Sequence, residues 1–183
     1  EFAGDERRIY IPFEEIPEVV KDAFISAEDK NFYEHAGFDL RAIGAAIYVA
    51  IQTRGETVRG ASTIPQQTAK NLIVGGERAV ERKIKEVILA NRMEVILANR
   101  MVNEIGREKI LAIYLNEIFL GPNSYGVAAA AQTSFNKPLS DLSVEEADYL
   151  AVRPKAPSLY HPGRQQERAL ERRNFVLREM FEN

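Results

Sequence analysis

Two glutamates in this chain stand where a carboxylate can do chemistry. Glu28 opens the run Glu28-Asp29-Lys30-Asn31-Phe32-Tyr33-Glu34-His35-Ala36-Gly37-Phe38-Asp39, and Glu86 closes Arg82-Lys83-Ile84-Lys85-Glu86. Between them lies Gly60-Ala61-Ser62-Thr63-Ile64-Pro65-Gln66-Gln67-Thr68-Ala69-Lys70-Asn71. A carboxylate flanked by aromatics is a candidate general base, and a hydroxyl, amide and Lys/Arg cluster suits an anionic phosphate leaving group. Glycosyl transfer from a diphosphate donor is the chemistry to which this set points. Only one carboxylate need act as base there, because a diphosphate departs without the general acid of the paired-carboxylate glycosidase pattern.

The charge distribution bears on the same question. From Arg54 to Lys85 there are seven Lys/Arg (54, 59, 70, 78, 82, 83, 85) against three Glu (56, 77, 81), a basic island of +4 in a chain of net charge -3. An acidic whole argues against a general nucleic-acid binder, whose phosphate contacts need a basic excess. The island itself reads either as a solvated helix face or as a site for a polyanion. No cysteine is present, so disulfides and thiolate chemistry are excluded. With two histidines and no cysteine a zinc site is not expected, and His35 reads as a structural hydrogen-bonding residue.

The elements that position these residues read as mostly helical. Ile16, Val19, Val20, Ala23 and Phe24 share one helical face, as do Ile43, Ala46, Ile47 and Ala50, and then Ile110, Ile113, Tyr114 and Phe119. A short strand is expected at 8–12, ended by Pro12. Thr63-Ile64-Pro65-Gln66 and Ser143-Val144-Glu145-Glu146 fit capping boxes, with Pro65 tolerated in a first helical turn. Loops are expected at 75–76, 121–124 and 154–163. Phe32, Tyr33 and Phe38 read as core, and Asn116 as a residue that caps or bridges helices. The longest apolar run, 42–51, is half of what a bilayer span needs.

The chain length fits one compact domain. It also carries an immediate repeat: Glu86-Val-Ile-Leu-Ala-Asn-Arg-Met93 is followed by an identical Glu94-Val-Ile-Leu-Ala-Asn-Arg-Met101. Eight residues advance a helix by about 12 Å and leave the second copy roughly 80° around from the first. The second copy is therefore expected to lengthen a helix or loop out, with Val95, Ile96 and Leu97 turned from the face of Val87, Ile88 and Leu89. Its removal is expected to raise stability by taking away exposed apolar surface.

Five groups of residues occur in an order that identifies a resemblance: Glu28-Asp29 with Phe32, His35, Gly37 and Asp39; Gly60-Ala-Ser-Thr-Ile with Gln66-Gln67 and Lys70-Asn71; Arg78 with Arg82-Lys83 and Glu86; Lys109-Ile-Leu with Tyr114-Leu115-Asn116 and Gly121; and Pro154-Lys155-Ala156-Pro157 with Tyr160 and Pro162. From about residue 8 onward the chain resembles the glycosyltransferase domain of a class A penicillin-binding protein. The resemblance implies an all-α, lysozyme-like glycosyltransferase domain with a membrane-apposed lobe, covering 1–183. A flanking transmembrane helix and a transpeptidase domain would then lie outside this chain.

The activity implied is polymerisation of lipid II into β-1,4-linked glycan with inversion and release of undecaprenyl diphosphate, at the periplasmic side of the bacterial cytoplasmic membrane. By that resemblance Glu28 is the general base, and Glu86 stands near the departing diphosphate, with a divalent metal (Mg or Mn) or basic side chains as companions. Asp29, Ser62, Gln66, Gln67, Lys70, Asn71, Arg78, Lys85, Asn116 and Lys155 fall at substrate-binding positions. The implied partners are lipid II, the growing glycan strand, the membrane surface and other cell-wall synthesis proteins, with no nucleic acid and no organic cofactor.

Several positions depart from the family pattern. Ala112 stands where Glu is usual, Arg153 replaces an apolar residue, Asp148 interrupts an apolar helix, Pro65 stands where Thr is common, and the repeat adds about two turns between Glu86 and Asn116. Buried charge at 148 or 153 must reach solvent or find a partner. Two other readings compete: an impaired module that binds lipid II without turnover, and a lysozyme-like hydrolase. The basic island argues against the hydrolase, since a glycan leaving group needs no phosphate cradle.

Overall fold

The computed structural model describes residues 7–54, 60–74, 84–121 and 123–154, with the side chains of 73, 74 and 84–92 left aside. Among these residues seven α-helices and one two-stranded ladder are found: β1 (Arg7–Arg8), α1 (Glu18–Glu28), α2 (Leu40–Gln52), α3 (Ile64–Val74), α4 (Ile84–Glu104), α5 (Arg107–Glu117), β2 (Ser124–Tyr125), α6 (Val127–Phe135) and α7 (Val144–Ala151). The all-α expectation holds. The chain divides into two compact units, residues 1–30 with 111–183 and residues 31–110.

In the first unit α1 packs on α7 through its buried face of Val20, Ala23, Phe24 and Ala27, with Ala147, Leu150 and Ala151 opposite. The Phe24 ring meets Tyr114 of α5 edge-on, centroids 6.2 Å apart at 76°, the favoured geometry for two aromatic quadrupoles. α6 is buried through Val127, Ala128, Ala129, Ala130 and Ala131, small side chains that admit close neighbours. Lys21 is buried beneath Phe13, its Nζ 4.0 Å from the ring centroid, and pairs with Glu18 at 2.8 Å.

The expected strand at 8–12 is corrected: pairing is confined to Arg7–Arg8, which lies parallel to Ser124–Tyr125. Beyond it Ile11 finds its partner in a side chain. Asn116 accepts from the Ile11 N–H at 2.8 Å and donates to the Ile11 carbonyl at 3.0 Å and to Ala112 O at 2.8 Å. Asn116 thus bridges a helix to an extended segment rather than two helices. Phe119 is corrected as well. It lies past the end of α5, exposed, and stacks on Tyr125 at 5.2 Å.

Of the two charges expected to be buried in this region, Arg153 finds partners. Arg153 donates to Ser134 Oγ at 2.8 Å and lies 4.9 Å from the Tyr149 ring centroid, so its guanidinium keeps a polar and a π partner. Asp148 is fully buried within the helix. The Ser143 capping box forms in full with Glu146. The turn at 121–124 also forms, closed by the Ser124 N–H on Gly121 O at 2.7 Å.

In the second unit α3 packs on α4. The Thr63 box opens α3: the Thr63 N–H bonds Gln66 Oε1 at 3.0 Å and the Gln66 N–H bonds Thr63 Oγ1 at 3.3 Å, with Pro65 buried in the first turn. Asp39 caps α2, accepting from the N–H groups of Arg41 and Ala42. α2 itself buries none of its residues, and Leu40 is 70% and Ile51 73% exposed. Tyr33, expected in the core, is exposed too. It packs its edge on the buried Phe32 at 5.0 Å.

Both copies of the octapeptide lie in the uninterrupted α4, so the repeat lengthens a helix as expected. The expectation that the second copy merely exposes apolar surface is overturned. Ile96 is exposed, but Ala98 and Met101 are buried, and Asn99 Nδ2 donates to Ala36 O at 2.7 Å.

Candidate active site

Within the first unit, Glu28 is the last residue of α1. It is half-buried, with Oε1 shielded from solvent. Asp29 is the C-cap and is buried, its N–H bonded to Ile25 O at 2.8 Å. Tyr114 faces both carboxylates: burial first, then the negative charges of Glu28 and Asp29, pushes its phenol well above the ordinary 10.0. The hydroxyl therefore stays protonated beside the candidate base. The sequence places Tyr114 on an apolar face and in the fourth motif group, and neither signals that it lies beside Glu28 and Asp29. Asn116 lies in the same unit, with both amide hydrogens and its oxygen engaged by Ile11 and Ala112. Its geometry holds the scaffold.

Within the second unit the phosphate-type residues gather along α3. Ser62 is exposed just before the helix, on the side where the helix dipole favours an anion. Gln66 and Lys70, and Gln67 and Asn71, are i,i+4 pairs on adjoining stripes of one side of α3. Lys70 and Asn71 are exposed, and Gln66 and Gln67 half-buried. The Gln66 carboxamide oxygen already serves the Thr63 cap. Lys85 and Glu86 lie on α4, their side chains outside the described set, and Arg78 and Lys155 fall outside the described residues.

The segment 31–39 is held by side chains to which the sequence gives no pointer. Arg107 donates to Phe32 O at 3.2 Å and His35 O at 2.7 Å, Asn99 to Ala36 O at 2.7 Å, and Thr63 Oγ1 to Gly37 O at 2.7 Å. Asn31 donates to Asp39 Oδ2 at 2.7 Å, and His35 Nδ1 accepts from the Gly37 N–H at 3.1 Å, the structural role expected of it. Four carbonyls bonded by side chains make this stretch a fixed backbone. Among the described residues no group of three His, Asp or Glu side chains could hold a metal ion.

A family model described as Transglycosylase matches residues 1–181. The chain belongs to the transglycosylase family. It is similar to penicillin-binding protein 1A of Aquifex aeolicus, 46% identical over 179 residues, covering 98% of this chain and 23% of that protein. Penicillin-binding protein 1A of Haemophilus influenzae is 42% identical over 179 residues, covering 98% of this chain and 20% of that one. The chain thus spans about a fifth of the length of these relatives. The crystal structure of the Haemophilus influenzae protein matches with a TM-score of 0.53 at 28% identity, covering 97% of this chain and 15% of that one. The helical, lysozyme-like transglycosylase fold is accordingly the fold of this chain.

Proposed function

We propose that this transglycosylase domain polymerises lipid II, joining the 4-hydroxyl of one sugar to the anomeric carbon of another with inversion. In this reaction Glu28 takes the proton of the attacking hydroxyl as the new O–C1 bond forms. The C1–O bond to the diphosphate breaks, and undecaprenyl diphosphate leaves with the electron pair. Ser62, Gln66, Gln67, Lys70, Asn71, Arg78 and Lys85 receive the donor's sugar and phosphates, and Asp29 and Lys155 complete the substrate-binding set, whereas Asn116, with its polar atoms engaged by Ile11 and Ala112, serves the scaffold. Cationic side chains aimed at developing charge on the leaving oxygens lower the barrier. A Mg or Mn ion at Glu86 would add to that neutralisation when bound, and no organic cofactor is needed.

The observation that carries this reading is Glu28 itself: a half-buried carboxylate at a helix end, beside the protonated Tyr114, in a chain whose whole length matches the transglycosylase family. The impaired-module reading loses support because Arg153 has its partners and Ala112 is buried, its carbonyl serving Asn116.

The membrane-apposed lobe is assigned to α2, where Leu40, Ile47, Tyr48 and Ile51 are exposed. Among the described residues no helix is long and apolar enough to cross a membrane. The domain would act from the periplasmic face of the cytoplasmic membrane, on lipid II and the growing strand, in company with other cell-wall synthesis proteins. No role with nucleic acid is proposed.

Labelled lipid II in detergent tests the reading. The parent chain should yield polymer, and Glu28→Gln should slow it by about 10²- to 10⁴-fold, the usual cost of a lost general base, while still binding the donor. Undiminished polymerisation by a folded Glu28→Gln variant, or cleavage of finished glycan without polymer, would refute it.

A further inference from the structure

Only one copy of the octapeptide in α4 can meet the 31–39 segment at a time, and the docked one is the second. Ala98 is fully buried, and Gly37 approaches it so closely that a Cβ on the glycine would lie 2.6 Å from the Ala98 carbonyl carbon and 2.7 Å from the Asn99 nitrogen. Asn99 ties to Ala36 O. The first copy's counterparts, Ala90 and Asn91, sit roughly 12 Å upstream along the helix and about 80° around.

The glutamate that opens each copy takes its place from the copy's docking. Glu94 precedes Ala98 by four residues, so it lies on the same side of α4, one turn before the Gly37 contact, and it is half-buried. In a chain with one copy, the residue before Val-Ile-Leu-Ala both ends the basic run and begins the docked octapeptide. Duplication separates these two properties: Glu86 keeps the basic run and Glu94 keeps the dock.

We propose that Glu94, rather than Glu86, is the carboxylate beside the departing diphosphate, an assignment that rests on the transferase reading above. Docking decides because a reacting-site carboxylate must be held to within a fraction of an ångström, whereas lysines reach their targets on long flexible stems. Glu94 is held by a helix fixed to α3 and to the 31–39 backbone. Glu86 lies more than three turns upstream of the Ala98 contact.

The chain has no cysteine, so introduced pairs report register cleanly. Ala36→Cys combined with Asn99→Cys should cross-link on mild oxidation, and Ala36→Cys combined with Asn91→Cys should not. In the lipid II assay the loss from Glu94→Gln should exceed that from Glu86→Gln by roughly tenfold or more, a fraction of the range for removing a catalytic group. A larger loss at Glu86→Gln in an active parent, or cross-linking through position 91 instead of 99, overturns this assignment alone. A parent that makes no polymer overturns the transferase reading and Glu94's role with it.

Discussion

Gly37→Ala probes the closest contact in the second unit. Gly37 adopts φ +98°, and the added methyl would meet the Ala98 carbonyl carbon at 2.6 Å and its oxygen at 2.7 Å, main-chain atoms that cannot swing aside. The left-handed conformation costs an alanine about 1–2 kcal/mol, and forcing a methyl into packed backbone about 1–3 kcal/mol more. Together these come to roughly 3 kcal/mol, which for a domain of this length lowers Tm by about 10 °C. Gly44→Ala is the matched control. Gly44 is inside α2, and a methyl added there would find nothing within 4 Å, so helix propensity alone should raise stability by about 0.5–1 kcal/mol. Thermal melts followed by circular dichroism at low temperature-ramp rates compare the two. A Gly37→Ala protein that melts with the parent, or a Gly44→Ala protein that falls as far, would show that the helix-to-segment contact does not hold this unit.

Two further outcomes are expected. Burial works to raise the Asp39 carboxyl, and bonds from Asn31 and the Ala42 and Arg41 N–H groups, with the His35 charge, outweigh it and hold it below its ordinary 3.8. A depressed folded value means the native state binds fewer protons, so this stabilisation is present above pH 3.8 and is lost as pH falls through the folded value. Asp39→Ala should therefore cost about 1 kcal/mol at pH 7 as a lost N-cap, and urea midpoints of variant and parent should converge on acidification; a gap that persists at low pH refutes the linkage. Replacing Leu40, Ile47 and Ile51 together by Ser should abolish flotation of the domain with liposomes at high salt, where only apolar insertion remains. Unchanged flotation would remove α2 from the membrane-facing surface.

What is legible in the sequence is local. Both capping boxes form because their partners are three residues apart, and the helical faces of α1 and α5 follow from a period that chain order fixes. The five ordered motifs likewise lead to the family. What stays hidden depends on partners far along the chain. Asn116 completes the hydrogen bonding of Ile11, and nothing near either residue signals the other. The carbonyls of 31–39 draw on Arg107, Asn99 and Thr63, whose own surroundings mark them as surface or cap residues. The repeat is readable as a rotation, but the rotation gives no account of which copy finds Gly37.

The division of the chain also governs the order in which it can fold. In sequence, residues 31–110 form one continuous stretch between the two segments of the other unit, to which α1 and α7 belong. Closing a flexible loop from Ile11 to Asn116 costs roughly 4 kcal/mol in chain entropy, growing only with the logarithm of length. Prior collapse of α3 onto α4 shortens the effective loop and lessens that cost. During synthesis α1 emerges before α7, and its contact with α7 waits until α7 has left the ribosome. The helix that ends in the candidate base is thus completed by nearly the last described element of the chain.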